Sequence, residues 1–265
     1  MKIKKENGDK ISFNLSPSSL NLYHQSPLLF YLTHIAKVPD DTPVPICYGL
    51  SGNIVHECLE KYAKKHFDRD GACIHFAEKW EKQNLHFHKD LKGQSLNQTE
   101  YLMAMLKGMH IIDQHDQHIC EENINFPFVE NEYMKIGIKG IIDLQAIKKE
   151  SNQFVIIDYK TNNSVDRGIK FERQAIFYNL LIHKKKNILP SKTSFHYLKL
   201  GLSKDYIFDT EDLEAFKEEL EALAQEILSF GTDISKYPAG EIEDIFNSKK
   251  KACLREIERR NSLVY

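Results

Sequence analysis

The spacing of apolar residues changes character partway along the chain. Near the start, Lys10-Ile11-Ser12-Phe13-Asn14-Leu15 alternates polar and apolar, which predicts a short strand or hairpin within residues 1–15. Ser16 sits where a helix N-cap belongs, and Pro17 suits the first helical position. Leu20, Tyr23, Leu28, Tyr31 and Ile35 follow at roughly helical spacing, with Pro27 expected to bend or break the helix. Pro39, Pro43 and Pro45 mark residues 38–48 as a loop. From Gly49 to about Cys120 the pattern is helical. It predicts helices over Gly52–Phe67, Ala72–His86 and Gln98–His118, the last two separated by the polar stretch Lys89–Asn97.

The period then shortens. Met134 to Leu144 alternates and becomes apolar, as in a strand entering a core, and Phe154–Lys160 reads as a second, more buried strand. The polar stretch Lys148–Gln153 fits a hairpin turn between them. A helix over Gly168–Lys185, a strand over Ser194–Leu200, a helix over Asp212–Phe230 and a charged helix from Glu241 complete the chain. Strands and helices mix in the second half, so the expected class is α/β.

Composition narrows the partners. With 265 residues, 42% hydrophobic and 28% charged, the chain fits one large globular domain over 1–265, carrying a helical insertion at about 50–120. No apolar run is long enough to cross a bilayer, and no apolar segment follows the basic Met1–Lys5 start, so neither a membrane nor a secreted location is expected. Cys47, Cys58, Cys73, Cys120 and Cys253 are odd in number, scattered and free of CxxC pairs, which points to a reducing, cytoplasmic setting. The net charge of -2 neither advertises nor excludes nucleic-acid binding. Lys184–Lys186, Lys249–Lys251 and Arg259-Arg260 are basic patches, each better read alone as a solvated helix end.

The candidate chemistry lies in the two apolar strands. Asp143 follows Gly140-Ile141-Ile142, and Asp158 follows Val155-Ile156-Ile157. Asp is depleted from strands, and a buried charge is costly unless paired. Two carboxylates on neighbouring strands call for a compensating divalent cation. Lys160, two residues after Asp158, lies on the same strand face, roughly 6.6 Å along the chain. A metal ligand beside a compact ammonium suits phosphodiester hydrolysis: the metal polarises the phosphate and acidifies water, and the lysine stabilises charge. A lone D-x-K is common by chance. Here an apolar strand leads into it and a Gly-x-x-Asp strand lies just upstream.

These pieces resemble the RecB-like branch of the PD-(D/E)XK nucleases in order and spacing. The match runs through Leu15-Ser16-Pro17-Ser18-Ser19-Leu20 with Tyr23 and Pro27, then Gly52-Asn53-Ile54-Val55-His56 with Leu59-Glu60. It continues through Gly140-Ile141-Ile142-Asp143, Asp158-Tyr159-Lys160-Thr161 and Gln174-Ala175-Ile176-Phe177-Tyr178. The resemblance covers about residues 15–200 and implies a restriction-endonuclease-like core, a central mixed sheet flanked by helices. It implies His56, Asp143 and Asp158 as ligands of Mg²⁺ or Mn²⁺, and Lys160 as the catalytic lysine. Without it, His56 would be read as hydrogen-bonded to Glu60 one turn on. Gln174 and Tyr178 would position DNA or support the lysine, although ordinary packing explains them nearly as well. Glu121 or Glu122 resembles an acidic position upstream of the G-x-x-D strand.

The match breaks at the cysteines. Many relatives hold an iron–sulfur cluster through four of them, but here Ser26 precedes Pro27 and Cys253 stands alone near the end. No cluster is expected, and the C-terminal segment must be held by packing or charge pairs. This departure weakens any carry-over from the CRISPR adaptation nucleases and the AddB-type subunits. His86, His88, His110, His115 and His118 lack zinc-motif spacing and read as solvent-facing. Phe67, Phe76, Trp80 and Phe87 read as core. The expected function is a metal-dependent deoxyribonuclease, an exonuclease on strand ends or single-stranded DNA in recombination, repair, replication, or CRISPR or phage DNA processing. The alternative is a nucleic-acid-binding nuclease module active only with protein partners in a larger DNA-processing complex.

Overall fold

The computed structural model describes residues 10–90, 93–165, 168–244 and 246–262. In chain order it contains β1 (Ile11–Leu15), α1 (Pro17–Gln25), α2 (Pro27–Phe30), α3 (Cys47–Ala63), α4 (Arg69–Lys82) and α5 (Gln98–Asp113). There follow β2 (His115–Glu130), β3 (Met134–Lys148), β4 (Phe154–Lys160), α6 (Lys170–Lys186), β5 (Lys192–Tyr197), β6 (Leu202–Tyr206), α7 (Thr210–Phe230) and α8 (Lys250–Ser262). Hydrogen bonding runs β1-β3-β4-β5-β6, with β2 also on β3. The β1–β3 and β4–β5 pairs are parallel, while β3–β4 and β5–β6 are antiparallel, so the sheet is mixed. The class is the expected α/β sheet flanked by helices. Residues 1–9, part of the expected first strand or hairpin, lie outside the described residues.

The chain divides into two compact units, one of Met1–Val44, Asn125–Gly140 and Glu211–Tyr265, the other of Pro45–Ile124 and Ile141–Thr210. In the first, Ser16 caps α1 in a reciprocal capping box with Ser19, and Pro17 takes the first helical position. Pro27 does break the helix. Ser26 ends α1 and starts α2, accepting from the Leu29 N–H at 3.2 Å and donating to the Ala239 carbonyl. Asp41 accepts from the backbone N–H groups of Lys251 at 3.1 Å and Ala252 at 2.8 Å, at the start of α8. Lys249 bonds to the Val38 carbonyl and Asp40. Charge pairs and caps therefore hold the C-terminal helix, whose first turn buries Ala252 and Cys253.

In the second unit, α3, α4 and α5 pack around Phe76 and Trp80 onto Leu144, Ala146, Val155, Ile157 and Tyr159. Alternation along β4 sends the intervening Asp158 and Lys160 to the other face, where α6 lies. There Phe171 meets Phe195 edge-on and Asn179 bonds to Thr193 at 2.7 Å. The β4–α6–β5 segment is a parallel crossover, and the turn after Lys148 is the expected hairpin, closed by the Lys148 N–H on the Gln153 carbonyl.

Several boundaries differ from the sequence reading. α3 begins at Cys47, five residues before Gly52, and α5 stops at Asp113 rather than His118. His115 starts a strand, and its ring is buried with Nδ1 2.7 Å from the Ile111 carbonyl, so it is not a solvent-facing helix residue. Phe87 is exposed rather than core. The short edge strand β6 was not expected. Residues 241–244 and 246–249 are not helical.

Candidate active site

Asp143 and Asp158 are brought together by strand register. Leu144 pairs with Ile157 in the antiparallel β3–β4 ladder, so one step further sets the two aspartates opposite each other. Side chains directly opposite in such a pair lie on one face. The Tyr159 N–H donates to Asp143 Oδ2 at 2.8 Å, fixing that carboxylate. From α3, His56 Nδ1 lies 3.4 Å from Asp143 Oδ2 and 3.9 Å from Glu121 Oε1. Glu60 instead pairs with Lys64, so the within-helix reading of His56 does not hold.

Of the two neighbouring acids, Glu121 is the one whose side chain faces His56 and Asp143. Its backbone has φ of 51°, the left-handed region that a non-glycine residue rarely occupies. Such a kink within a strand re-aims a side chain, as bulges beside active sites do. Its carboxylate joins His56 and Asp143, with one ligand atom from each residue lying within 4.8 Å of the others. Glu122 turns elsewhere, accepting from Gln145 at 2.6 Å and Lys185 at 2.7 Å. The sequence offered both acids, and only the backbone conformation separates them.

Asp158 faces a second group of partners. Lys160 Nζ lies 2.6 Å from Asp158 Oδ2. Gln174 bridges the two, its Nε2 donating to Asp158 Oδ1 at 2.9 Å and its Oε1 accepting from Lys160 at 3.0 Å. Gln174 also donates to the Tyr178 hydroxyl at 2.7 Å, and that hydroxyl lies 3.4 Å from Asp158 Oδ1. The Lys160 ammonium sits over the rings of Phe171 and Phe195, 4.6 and 4.9 Å from their centroids. Cation–π attraction and the ion pair together confine it.

All six residues singled out from the sequence line one cavity of about 350 Å³, with Tyr48, Gly49, Gly52, Asn53, Tyr159, Thr161 and Asn162. Its electrostatics are those of crowded carboxylates. Burial and the charge of Asp143 push the Glu121 carboxyl up to about 7, against the pull of His56. Burial raises Asp158 to about 6, outweighing Lys160, and Asp143 adds to the rise. Burial works against a charged His56, but Asp143, Asp158 and Glu121 overcome it and raise the imidazole to about 9. Burial likewise opposes charge on Asp143, yet His56, the Tyr159 N–H and Lys160 keep its carboxyl below the usual range.

This donor set fits a hard or borderline divalent cation. It offers carboxylate oxygens and one imidazole without thiolates. Asp158 Oδ2 is buried, and its only ion-pair partner among the described residues is the Lys160 ammonium at 2.6 Å, which does not neutralise the other carboxylates. Like charges gathered at one point need such an ion or protons to neutralise them.

Fold and site thus define a metal-assisted hydrolase of the phosphodiester-cleaving kind. The PD-(D/E)XK nuclease superfamily model matches residues 14–244, so the chain belongs to that superfamily and is a nuclease that draws on a divalent metal. No curated protein matches it. Among solved structures it is similar to a "putative exonuclease" from Eubacterium rectale, at 9% identity and TM-score 0.48, over 90% of each chain. Among the described residues, no helix is long and apolar enough to cross a membrane.

Proposed function

We propose that the chain is a Mg²⁺- or Mn²⁺-dependent deoxyribonuclease that removes nucleotides from strand ends or single-stranded DNA during recombination, repair, replication, or CRISPR or phage DNA processing. The observation that carries this reading is the convergence of His56, Asp143, Asp158 and Lys160 on one cavity, with the Glu121 carboxylate close to His56 and Asp143. The whole chain acts as one nuclease domain, with the α3–α5 region as its helical insertion.

His56, Asp143 and Asp158 hold the metal, with Glu121 as a further ligand. A divalent ion held there would supply Lewis-acid polarisation of the scissile phosphate and acidify a water for attack. Lys160, held between Asp158 and Gln174, presents its ammonium to the charge that develops on the phosphate. Gln174 and Tyr178 are positioning residues that keep Asp158 and Lys160 in register.

The test is digestion of end-labelled single- and double-stranded DNA with Mg²⁺, Mn²⁺ or EDTA, beside folded Asp158→Ala and Lys160→Ala proteins. Metal-dependent cutting by the wild type, lost in both variants, is expected, with a product ladder stepping from an end. No cutting by folded wild type under any metal would favour a module that needs partners. Equal cutting by both variants would move the active site elsewhere.

A further inference from the structure

Two glycines on one face of α3 line the active-site cavity, and the fold needs only one of them. Gly52 packs closely, since a Cβ there would lie 3.1 Å from Thr161 Oγ1. Gly49, one turn nearer the helix start, would place a Cβ with no other atom within 4 Å. It is absent from the positive-φ glycines, so its backbone suits any residue. Alanine would serve the helix at least as well. Among the described residues, none outside its own stretch of helix comes within 4 Å of a Cβ at position 49, yet Gly49 lies in the cavity wall with Tyr48, Asn53 and His56.

We propose that Gly49 is a specificity-determining residue that keeps open the passage through which a polynucleotide strand extends past the metal cluster. This rests on the nuclease reading above and deepens it. The metal ligands lie a helical turn or more further on, at His56, or on the facing strands, at Asp143 and Asp158. A side chain at position 49 would therefore obstruct the strand beyond the scissile phosphate without touching the ligands. A small diester lacks that extension and has less to lose. The flanking groups suit such a strand: Tyr48 is an aromatic on which a base can stack, and Asn53 and Asn162 offer neutral amide donors.

The test compares Gly49→Ala and Gly49→Leu with the wild type. Melting temperature and Mn²⁺ affinity show whether fold and metal cluster survive. The readout is kcat and KM on a single-stranded oligonucleotide and on bis(p-nitrophenyl) phosphate. The expected result is a graded rise in oligonucleotide KM, roughly ten- to two-hundredfold for Leu and less for Ala. The loss on the oligonucleotide should exceed that on the small diester by tenfold or more. A folded Gly49→Leu protein with wild-type oligonucleotide kinetics, or with equal losses on both substrates, overturns the inference. If Leu does not fold, Ala decides by the same ratio. If the wild type hydrolyses neither substrate, the nuclease reading fails separately. Oligonucleotide affinity in Ca²⁺ then decides: weaker binding by Leu supports the passage, and equal binding overturns it.

Discussion

Gln174 donates from Nε2 to Asp158 Oδ1 at 2.9 Å, and the same carboxamide accepts from Lys160 at 3.0 Å. One side chain thus fixes the separation of an acid and a base that share a strand face. Ion pairing alone would leave the ammonium free to swing about the carboxylate. The Tyr178 hydroxyl, 2.7 Å from Gln174, fixes the orientation of the carboxamide in turn.

Replacing Gln174 with Met keeps the volume and removes the bridge. Outer partners of metal ligands typically contribute about ten- to a hundredfold in affinity or activity. A kcat loss of that order is expected for Gln174→Met, with the melting temperature nearly unchanged. Gln174→Glu should lose more, because a carboxylate would then face Asp158. Steady-state kinetics beside thermal melts separate these outcomes from misfolding.

Metal affinity should rise with pH. Without metal, His56 holds its proton to about 9, Glu121 to about 7 and Asp158 to about 6. A cation must displace those protons, so binding tightens as pH rises from about 6 to 9 and releases protons to the buffer. The stability sign follows from the same three groups. Each has a folded pKa above its unfolded value, so each favours the metal-free fold at lower pH. That contribution is lost as pH rises through about 6, 7 and 9 in turn. The gap in melting temperature between Mn²⁺ and EDTA should therefore widen from pH 6 to pH 8. Glu121→Gln should flatten that widening near pH 7. Calorimetry in buffers of different ionisation enthalpy would count the protons released, and no proton release would contradict the arrangement.

The part of the site that lay on strands and helices of strong period was legible in the sequence. β4 and the turn before it lie where the alternation and the polar break put them, and α6 begins within two residues of the expected start. His56, Asp143, Asp158, Lys160, Gln174 and Tyr178 reach one cavity because those elements are in register. β2 was not legible. It follows α5 after a single residue, and its first residues are polar and extend the helical pattern. Its apolar alternation at Ile124, Phe126 and Phe128 is interrupted by Pro127, a residue tolerated only where a strand hydrogen bond is not required. The choice of Glu121 over Glu122 depends on a backbone dihedral that no side-chain pattern encodes. β6 carries a single buried residue, Tyr206, too little for alternation to register.

Asp41 is expected to matter for stability alone. It accepts from two backbone N–H groups at the start of α8 and lies 3.3 Å from Arg255. A carboxylate there satisfies orphan donors and meets the positive end of the helix. Asp41→Ala should cost about 1 kcal/mol, in the range of lost N-caps. Asp41→Asn, which keeps an acceptor oxygen, should cost less. Denaturant melts measure both, and Mn²⁺ affinity should stay at the wild-type value in each.

Gly52 and Thr161 should behave as a coupled pair. A Cβ at position 52 would sit 3.1 Å from Thr161 Oγ1, tighter than ordinary contact, so one of the two must move. Gly52 lies one turn before His56 on α3, and His56 Nδ1 is 3.4 Å from Asp143. Displacing α3 there loosens the metal cluster. Alanine at position 52 also favours the helix by up to about 1 kcal/mol. Gly52→Ala should therefore lower Mn²⁺ affinity while leaving the melting temperature level or slightly higher. Thr161→Ala removes the obstructing hydroxyl. In the Gly52→Ala/Thr161→Ala protein, affinity should return toward that of Thr161→Ala alone. Contacting residues of this kind typically couple by about 0.5–3 kcal/mol, and a double-mutant cycle on Mn²⁺ binding reads the coupling directly. Additive losses would mean that α3 tolerates the methyl without moving, and that Gly52 does not set the approach of His56 to Asp143.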